Sequence, residues 1–182
     1  MREAIAALSG ERPGELMELC DTLGAAILTA AGIASDETTA RAMLERVVAD
    51  GSALRKLAEF VAAQGGDANA VYHRNLLPAA PVQLAVPCDC DGYVNHIDAG
   101  GVGMVSMHLG GGRATKDSEI DLRVGVVLRK KVGDAVKVGE SLAVIHAADE
   151  ASAAKAAEAL KACYTISEEK PERAPFIKGI VR

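Results

Sequence analysis

Hydrophobic side chains in the first third of the chain recur at the spacing of α-helices. Between residues 15 and 31 they return every three or four positions and share one stripe of a helix: Leu16, Leu19, Leu23, Ile27 and Ala30. The same spacing predicts two more helices, with inward faces formed by Ala40, Met43, Leu44 and Val47 in one and by Leu54, Leu57 and Val61 in the other. Residues 1–66 are therefore predicted to form a helical segment.

The pattern changes after residue 66. Residues 67–87 have little periodicity and contain prolines at 78, 81 and 87, which predicts a linker with one short strand over 82–86. From residue 88 onward the chain predicts strands over 124–128 and 142–145, an alanine-rich helix over 150–163 and an edge strand over 164–166. Gly100 and Gly101 are expected to interrupt regular secondary structure. The predicted fold class is α+β: a helical segment, then a small antiparallel β-rich domain with one helix over 88–182.

Composition narrows the classes of function. The 182 residues are 49% hydrophobic and 25% charged, which is typical of a globular protein with a core. Aromatic residues make up only 3% and the net charge is −5, so nucleic acid is not expected as a partner. No apolar run approaches the ~20 residues that span a bilayer, so no membrane partner is expected either. Four scattered cysteines and no signal peptide predict reduced thiols in the cytoplasm.

The histidines and cysteines do not form a metal motif. None of the four histidines occurs with a second ligand at the spacing of a helical or knuckle site. Cys88 and Cys90 would point the same way on an extended strand, yet no second cysteine pair follows to complete a tetrahedral site. We expect ordinary structural residues at these positions.

The segment Gly110-Gly111-Gly112-Arg113 is the clearest candidate for a functional loop in the sequence. Three glycines in a row leave backbone N–H groups open to an anion or allow another segment to approach closely, and Arg113 and Lys116 add positive charge. The segment does not match a P-loop. Two interpretations remain open on these residues alone: a flexible loop without a ligand, and a mobile lid or phosphate-adjacent loop.

Residues 132–145 follow the pattern VGDxVxxGExLxxI. This pattern resembles the strand-turn-strand of biotinyl and lipoyl carrier domains, which are small barrel-sandwiches. A carrier also needs a lysine displayed on a tight hairpin, typically between methionines, and no such lysine occurs at the matching place. The pattern therefore predicts a barrel-sandwich-like fold unit without the carrier chemistry.

A longer resemblance includes both segments. Residues 110–147, GGGRATKDSEIDLRVGVVLRKKVGDAVKVGESLAVIHA, are similar to the C-terminal domain of the pyrimidine-nucleoside phosphorylases, close relatives of the thymidine phosphorylases. The segments REAI at 2–5, QGGD at 64–67 and DGYV at 91–94 fit the same family in the same order. The resemblance covers nearly the whole chain and implies that residues 1–66 are the end of a larger α/β domain.

The resemblance implies a reaction for the full-length enzyme: phosphate attacks C1′ of uridine or thymidine and releases the base and a pentose 1-phosphate. It implies phosphate as co-substrate, no organic cofactor and a homodimer. The family's phosphate loop, catalytic histidine and base-contacting residues lie in an N-terminal half whose motifs do not occur here. We therefore expect no catalytic residue in this chain and no activity of the chain alone. The residues that would distinguish uridine from thymidine lie outside this sequence.

Two sets of residues carry over from the resemblance. The loop from Gly110 to Ser118 aligns with the loop that closes over the substrate cleft, which gives Gly110, Gly111 and Gly112 a hinge-like role and makes Arg113 and Ser118 candidates for contacts across the cleft. Glu3 aligns with a glutamate that helps to hold a monovalent cation. The plain alternative for Glu3 is an exposed helix carboxylate.

Two other functions stay open at this point. The chain could be a stand-alone barrel-sandwich binding or carrier-like module, which a covalent addition of biotin or lipoate would reveal. It could also be one subunit of a split phosphorylase, which would co-purify with a separately encoded N-terminal half.

Overall fold

The computed structural model describes residues 1–11, 14–113 and 115–179, and these fold into two compact units. The first unit comprises the described residues of 1–77 and of 175–182, and the second comprises those of 78–174. The division at Leu77 and Pro78 falls inside the segment 67–87.

The first unit is helical. Its elements are α1 (Arg2–Ala6), a wider π turn (Ala7–Glu11), α2 (Gly14–Ala30), α3 (Glu37–Ala49), α4 (Ser52–Ala63), α5 (Asn69–Tyr72) and a 3₁₀ turn (Arg74–Leu76). Arg2 donates hydrogen bonds to the carbonyls of Arg74 at 2.7 Å and Leu77 at 2.6 Å, which ties α1 to the end of the unit. The three helices predicted from periodicity are present as α2, α3 and α4.

Two small cores hold the first unit together. One is formed by Ile5, Ala58 and Val71, and the other by Ala25, Ala34 and Ala40 between α2 and α3. A Cβ on Gly24 of α2 would lie 2.8 Å from the Leu44 side chain, so glycine at this position lets the two helices approach closely. Because these cores are made largely of alanine, they bury little apolar surface for the length of chain involved.

The described residues of the second unit form two three-stranded antiparallel sheets and two α-helices. The strands are β1 (Val82–Pro87), β2 (Gly92–Ile97), β3 (Gly125–Leu128), β4 (Ala135–Val136), β5 (Ser141–Ala147) and β6 (Tyr164–Ser167). The sheet orders are β1-β5-β3 and β4-β2-β6. The helices are α6 (Ala99–Ser106) and α7 (Glu150–Lys161). The predicted α+β class is confirmed, although the sheets of the described residues do not close into a barrel.

Strand β5 forms the centre of the larger core. Its buried residues Ala143, Ile145 and Ala147 pack with Val86 of β1 and Leu160 of α7. A second core, of Cys88, Val94, Val136 and Leu142, lies at the other sheet. Tyr164 packs against both clusters, and its hydroxyl lies 3.2 Å from the Lys130 carbonyl and 3.3 Å from that of Leu142.

Helix α6 corrects the prediction of a single helix in this unit. Gly100 and Gly101 were expected to interrupt regular secondary structure, yet both lie in the first turn of α6. A Cβ on Gly101 would lie 2.7 Å from both the Asp98 carboxylate and the Cys163 sulfur. These glycines therefore lie within a helix and allow Asp98 and Cys163 to pack closely against it. They do not form a turn. None of the described helices is long and apolar enough to cross a membrane.

Candidate functional site

The loop predicted to carry chemistry begins where α6 ends. The helix continues through a π turn, Met107–Gly111, and is interrupted at Gly110, which has a φ of 99°. Only glycine adopts this left-handed backbone without strain. The Gly110 carbonyl then accepts a hydrogen bond from the Asp121 N–H at 2.9 Å. This hydrogen bond ties together Gly110 and Asp121 at the two ends of the loop.

The next two glycines are packed against the helix that precedes them. A Cβ on Gly111 would lie 3.0 Å from the Ser106 carbonyl oxygen and 3.1 Å from its hydroxyl. A Cβ on Gly112 would lie 3.3 Å from the Met107 side chain. Close approach of the backbone to the last residue of α6 and the first residue of the π turn therefore accounts for both glycines in this conformation.

A local ion pair lies at the far end of the loop. The Arg123 guanidinium donates to both carboxylate oxygens of Asp121, at 2.9 and 2.8 Å, and the Arg123 N–H donates to the same carboxylate at 2.9 Å. These hydrogen bonds lower the pKa of Asp121 to about 2. Sequence reasoning missed this pair, although opposite charges two residues apart just after the glycine-rich segment were a readable signal.

Within the loop, Ser118 closes a tight turn. Its hydroxyl accepts from the Thr115 N–H at 3.0 Å and lies 2.8 Å from the Thr115 hydroxyl. The Ser118 N–H donates back to the Thr115 carbonyl at 3.1 Å. Arg113 and Lys116 are exposed, while Ala114 lies outside the described residues. The loop therefore carries two exposed cationic side chains between ends that are hydrogen-bonded to each other.

Glu3 lies in the first unit, in the first turn of α1, with its side chain exposed. The loop of Gly110 to Ser118 lies in the second unit. The described part of the chain holds no group of three or more histidine, cysteine or acidic side chains that could hold a metal ion. The cation-binding role that the resemblance implies for Glu3 stays a prediction.

Cys88 and Cys90 belong to the fold of the second unit. The buried Cys88 thiol donates to the Cys90 carbonyl at 3.1 Å, and Cys90 itself is exposed. Desolvation and the neighbouring Cys88 raise the pKa of the Cys90 thiol, which favours its protonated form at neutral pH. Asp89 between them binds Lys161 at 2.9 Å and so fastens the strand end to α7.

The comparisons identify the second unit. Residues 93–167 match the family described as the pyrimidine nucleoside phosphorylase C-terminal domain. This range runs from β2 to β6 and includes the glycine-rich loop, its Asp121–Arg123 base and the central strand β5. The second unit therefore matches the C-terminal domain of this phosphorylase family.

Curated relatives extend the match beyond that domain. The pyrimidine-nucleoside phosphorylase of Geobacillus stearothermophilus is 51% identical over 146 residues, which are 80% of this chain and 34% of the relative. Those of Bacillus subtilis and Staphylococcus haemolyticus are 46% and 45% identical over similar lengths. The chain matches the C-terminal portion of these proteins, so the resemblance predicted from its motifs is confirmed. It spans about a third of their length.

Proposed function

We propose that this chain is the C-terminal part of a pyrimidine-nucleoside phosphorylase and contributes a wall and a closing loop to the substrate cleft. The full enzyme would catalyse reversible phosphorolysis of uridine or thymidine, with phosphate as co-substrate. The observation that carries this proposal is the family match over residues 93–167, which includes the complete loop from Gly110 to Ser118. The reaction would take place in a cytoplasmic homodimer that uses no organic cofactor and binds no nucleic acid or membrane.

The geometry of the loop supports this role. Its ends are joined by the hydrogen bond from the Asp121 N–H to the Gly110 carbonyl, so the exposed middle can move while the two ends stay together. Arg113 lies in that exposed middle. A guanidinium there could form paired hydrogen bonds to phosphate or stabilise negative charge that develops on the departing pyrimidine. Ser118 shapes the turn that presents this part of the loop.

The chain by itself is expected to be inactive. Phosphorolysis needs donors for the phosphate and positive charge near the leaving base, and in the family most of these residues lie in the part that this chain does not cover. The proposed monovalent cation near Glu3 would likewise need ligands from that part.

A chimera tests the proposal. In it, this chain replaces the corresponding C-terminal third of the Geobacillus stearothermophilus relative. We expect phosphate-dependent release of uracil from uridine, or of thymine from thymidine, by the chimera, and none by the isolated chain after its mass is verified. A chimera that folds and releases neither base would contradict the proposal. Release of base by the isolated chain would contradict the assignment of the catalytic residues to the part of the enzyme that this chain does not cover.

The loop is tested in the same chimera. Arg113→Ala should lower kcat/KM for phosphorolysis about tenfold or more, because it removes a cationic donor that acts on the reacting groups. Lys116→Ala is the matched control, since Lys116 is an exposed cation of the same loop. We expect it to stay within about twofold of the unmodified chimera. Equal losses in both variants would indicate a general effect of charge and would contradict a specific role for Arg113.

A further inference from the structure

Cys88 and Cys90 lie on the connection between the two sheets of the second unit. Strand β1, which ends at Pro87, belongs to one sheet, and β2, which begins at Gly92, belongs to the other. The chain bends over residues 89–91 between these strands, so the cysteines do not lie on an extended strand. Disulfides usually join residues whose Cα atoms are about 4.4–6.8 Å apart, and a bend brings residues two apart into this range.

The side chains of the two cysteines are neighbours. The Cys88 thiol donates a hydrogen bond to the Cys90 carbonyl at 3.1 Å, so its sulfur lies against the residue that carries the second thiol. Desolvation is the largest cause that raises the pKa of Cys90, and charge on Cys88 and a hydrogen bond between the two side chains raise this pKa further. The last two effects require the two sulfur atoms to be close to each other.

The two thiols differ in their access to solvent. Cys88 is 3% exposed and packs with Val94, Val136 and Leu142, whereas Cys90 is exposed. A small oxidant in solution therefore reaches Cys90 first and meets Cys88 only through it. An accessible thiol with a second thiol next to it is an arrangement that supports reversible oxidation.

Backbone hydrogen bonds hold the bend on both sides of Cys90. The Cys88 N–H donates to the Glu140 carbonyl at 2.8 Å, and the Cys88 carbonyl accepts from the Gly139 N–H at 2.9 Å. The Asp91 carboxylate accepts from the Val138 N–H at 2.7 Å. The reduced chain thus already has the bend that an S–S bond between residues 88 and 90 needs.

We propose that Cys88 and Cys90 are a reversible dithiol–disulfide pair whose substrate is a small disulfide of the oxidised glutathione class. The Cys90 thiolate attacks one sulfur of the glutathione disulfide, forms a mixed disulfide and releases the first glutathione thiolate. The Cys88 thiolate then attacks the Cys90 sulfur, forms the Cys88–Cys90 bond and releases the second glutathione thiolate. The two cysteine protons pass through solvent to these thiolates, so one glutathione disulfide is reduced to two thiols.

The environment of Cys90 makes the dithiol the resting form. Its raised pKa lowers the thiolate fraction at neutral pH, although the thiolate that does form is the stronger nucleophile. A disulfide that is exposed on one side is also reduced more readily than a buried structural one. The pair therefore agrees with the reduced state predicted from the sequence and forms its disulfide when the concentration of oxidised glutathione rises. This inference is independent of the proposed phosphorolysis.

Oxidised glutathione is the probe, and Cys20 is the internal control. Cys20 is exposed on α2, and the next cysteine in the sequence is Cys88. The isolated chain is treated with oxidised glutathione, the remaining thiols are blocked with a maleimide, and the peptides are identified by mass spectrometry. We expect a glutathione adduct on Cys20 and, on the peptide with Cys88 and Cys90, the loss of two hydrogens without an adduct. Excess reduced glutathione should reverse both changes.

Single variants separate the roles of the two thiols. Cys88→Ser removes the second thiol and should leave a stable glutathione adduct on Cys90, at least about tenfold more abundant than in the unmodified chain. Cys20→Ser is the matched control and should leave formation of the Cys88–Cys90 disulfide unchanged. Cys90→Ser changes an exposed position and should leave Cys88 without an adduct, which provides a second test if Cys88→Ser does not fold.

Three results would overturn the inference. The first is a stable adduct on Cys90 in the unmodified chain that is as abundant as in Cys88→Ser. The second is a chain in which Cys88 and Cys90 both stay unmodified under conditions that modify Cys20. The third is an adduct on Cys88 in Cys90→Ser that is as abundant as the adduct on Cys20, since Cys88 would then react with the oxidant directly.

Discussion

Gly111 lies where the loop backbone meets the end of α6. Alanine there would place its Cβ 3.0 Å from the Ser106 carbonyl, so the backbone must shift by a few tenths of an ångström. We expect Gly111→Ala to reduce the free energy of unfolding of the second unit by about 1–3 kcal/mol. The measurement is urea unfolding followed by circular dichroism.

Gly103 is the matched control for Gly111. It lies in α6, only eight residues earlier, and a Cβ at Gly103 would meet no atom within 4 Å. Gly103→Ala should therefore stabilise the unit by about 0.5–1 kcal/mol through helix propensity. If both substitutions changed the free energy of unfolding alike, the close packing of Gly111 would not be what limits that position.

Tyr164 links the two cores of the second unit and should make stability depend on alkaline pH. Burial raises its pKa to about 12. Because the folded state favours the neutral phenol, its contribution is complete below the unfolded pKa near 10 and is lost as the pH rises through 12. Tyr164→Phe should cost about 1 kcal/mol at pH 7, where the hydroxyl is hydrogen-bonded, and should weaken the decline between pH 10 and 12.

Unfolding of both proteins between pH 7 and 12 tests this prediction. An ultraviolet titration in which Tyr164 ionises near pH 10 would contradict it. The result would show that the side chain is not held in its buried position between the two clusters.

Asp121 should make the stability of the loop depend on acid pH, because its pKa is lowered and not raised. Its pKa is lowered to about 2 by Arg123, so its contribution is present above the unfolded pKa of 3.8 and is lost as the pH falls toward 2. The amide of Asp121, which donates to Gly110, should exchange hydrogen faster relative to the β5 amides as the pH falls from 4 to 2. In Asp121→Asn this relative change should be absent. A change of the same size in that variant would show that the ion pair does not hold the loop base.

At the scale of elements, the N-caps of α3 and α7 can be compared directly. Asp36 accepts a hydrogen bond from the Thr39 N–H at 2.8 Å, and Asp149 accepts one from the Ser152 N–H at 2.7 Å. Each substitution, Asp36→Ala or Asp149→Ala, should cost about 1 kcal/mol. The first should destabilise the helical unit and the second the β-rich unit, because the caps belong to different units.

Hydrogen exchange read separately over α3 and β5 measures this distribution. Faster exchange confined to the unit that carries the substitution is the expected result. Equal effects of either substitution on exchange in both α3 and β5 would contradict the division of the chain into two units.

Elements with one dominant signal were predictable from sequence. The compact apolar run of β5 and the alanines of α7 predict both elements within a few residues, since local preference and burial agree there. Helix α6 was missed because Gly100 and Gly101 have poor helix propensity, and tertiary packing against Asp98 and Cys163 outweighs that preference.

The loop and α2 depend on tertiary contacts that could not be predicted from the sequence. The glycines at 110–112 are functional candidates from sequence, but the contacts of Gly111 with Ser106 and of Gly112 with Met107 arise from the π turn, which the sequence pattern does not show. For α2, the stripe of Leu19, Leu23 and Ile27 was read correctly as one face of a helix. Which face packs on α3 is decided by Gly24, Leu44 and Arg41, and periodicity does not contain those contacts.

For the whole molecule, the two units have different relations to the family. The second unit carries the matched C-terminal domain with a complete core of its own. The first unit has small alanine cores and an uncharged apolar helix face. The two units therefore differ both in their match to the family model and in the side chains that form their cores.

The most direct test of this account is phosphate-dependent release of uracil from uridine, measured side by side for the isolated chain and the chimera. The account predicts release by the chimera, dependence of that release on Arg113, and no release by the isolated chain. A folded chimera that releases no base from either nucleoside would contradict it.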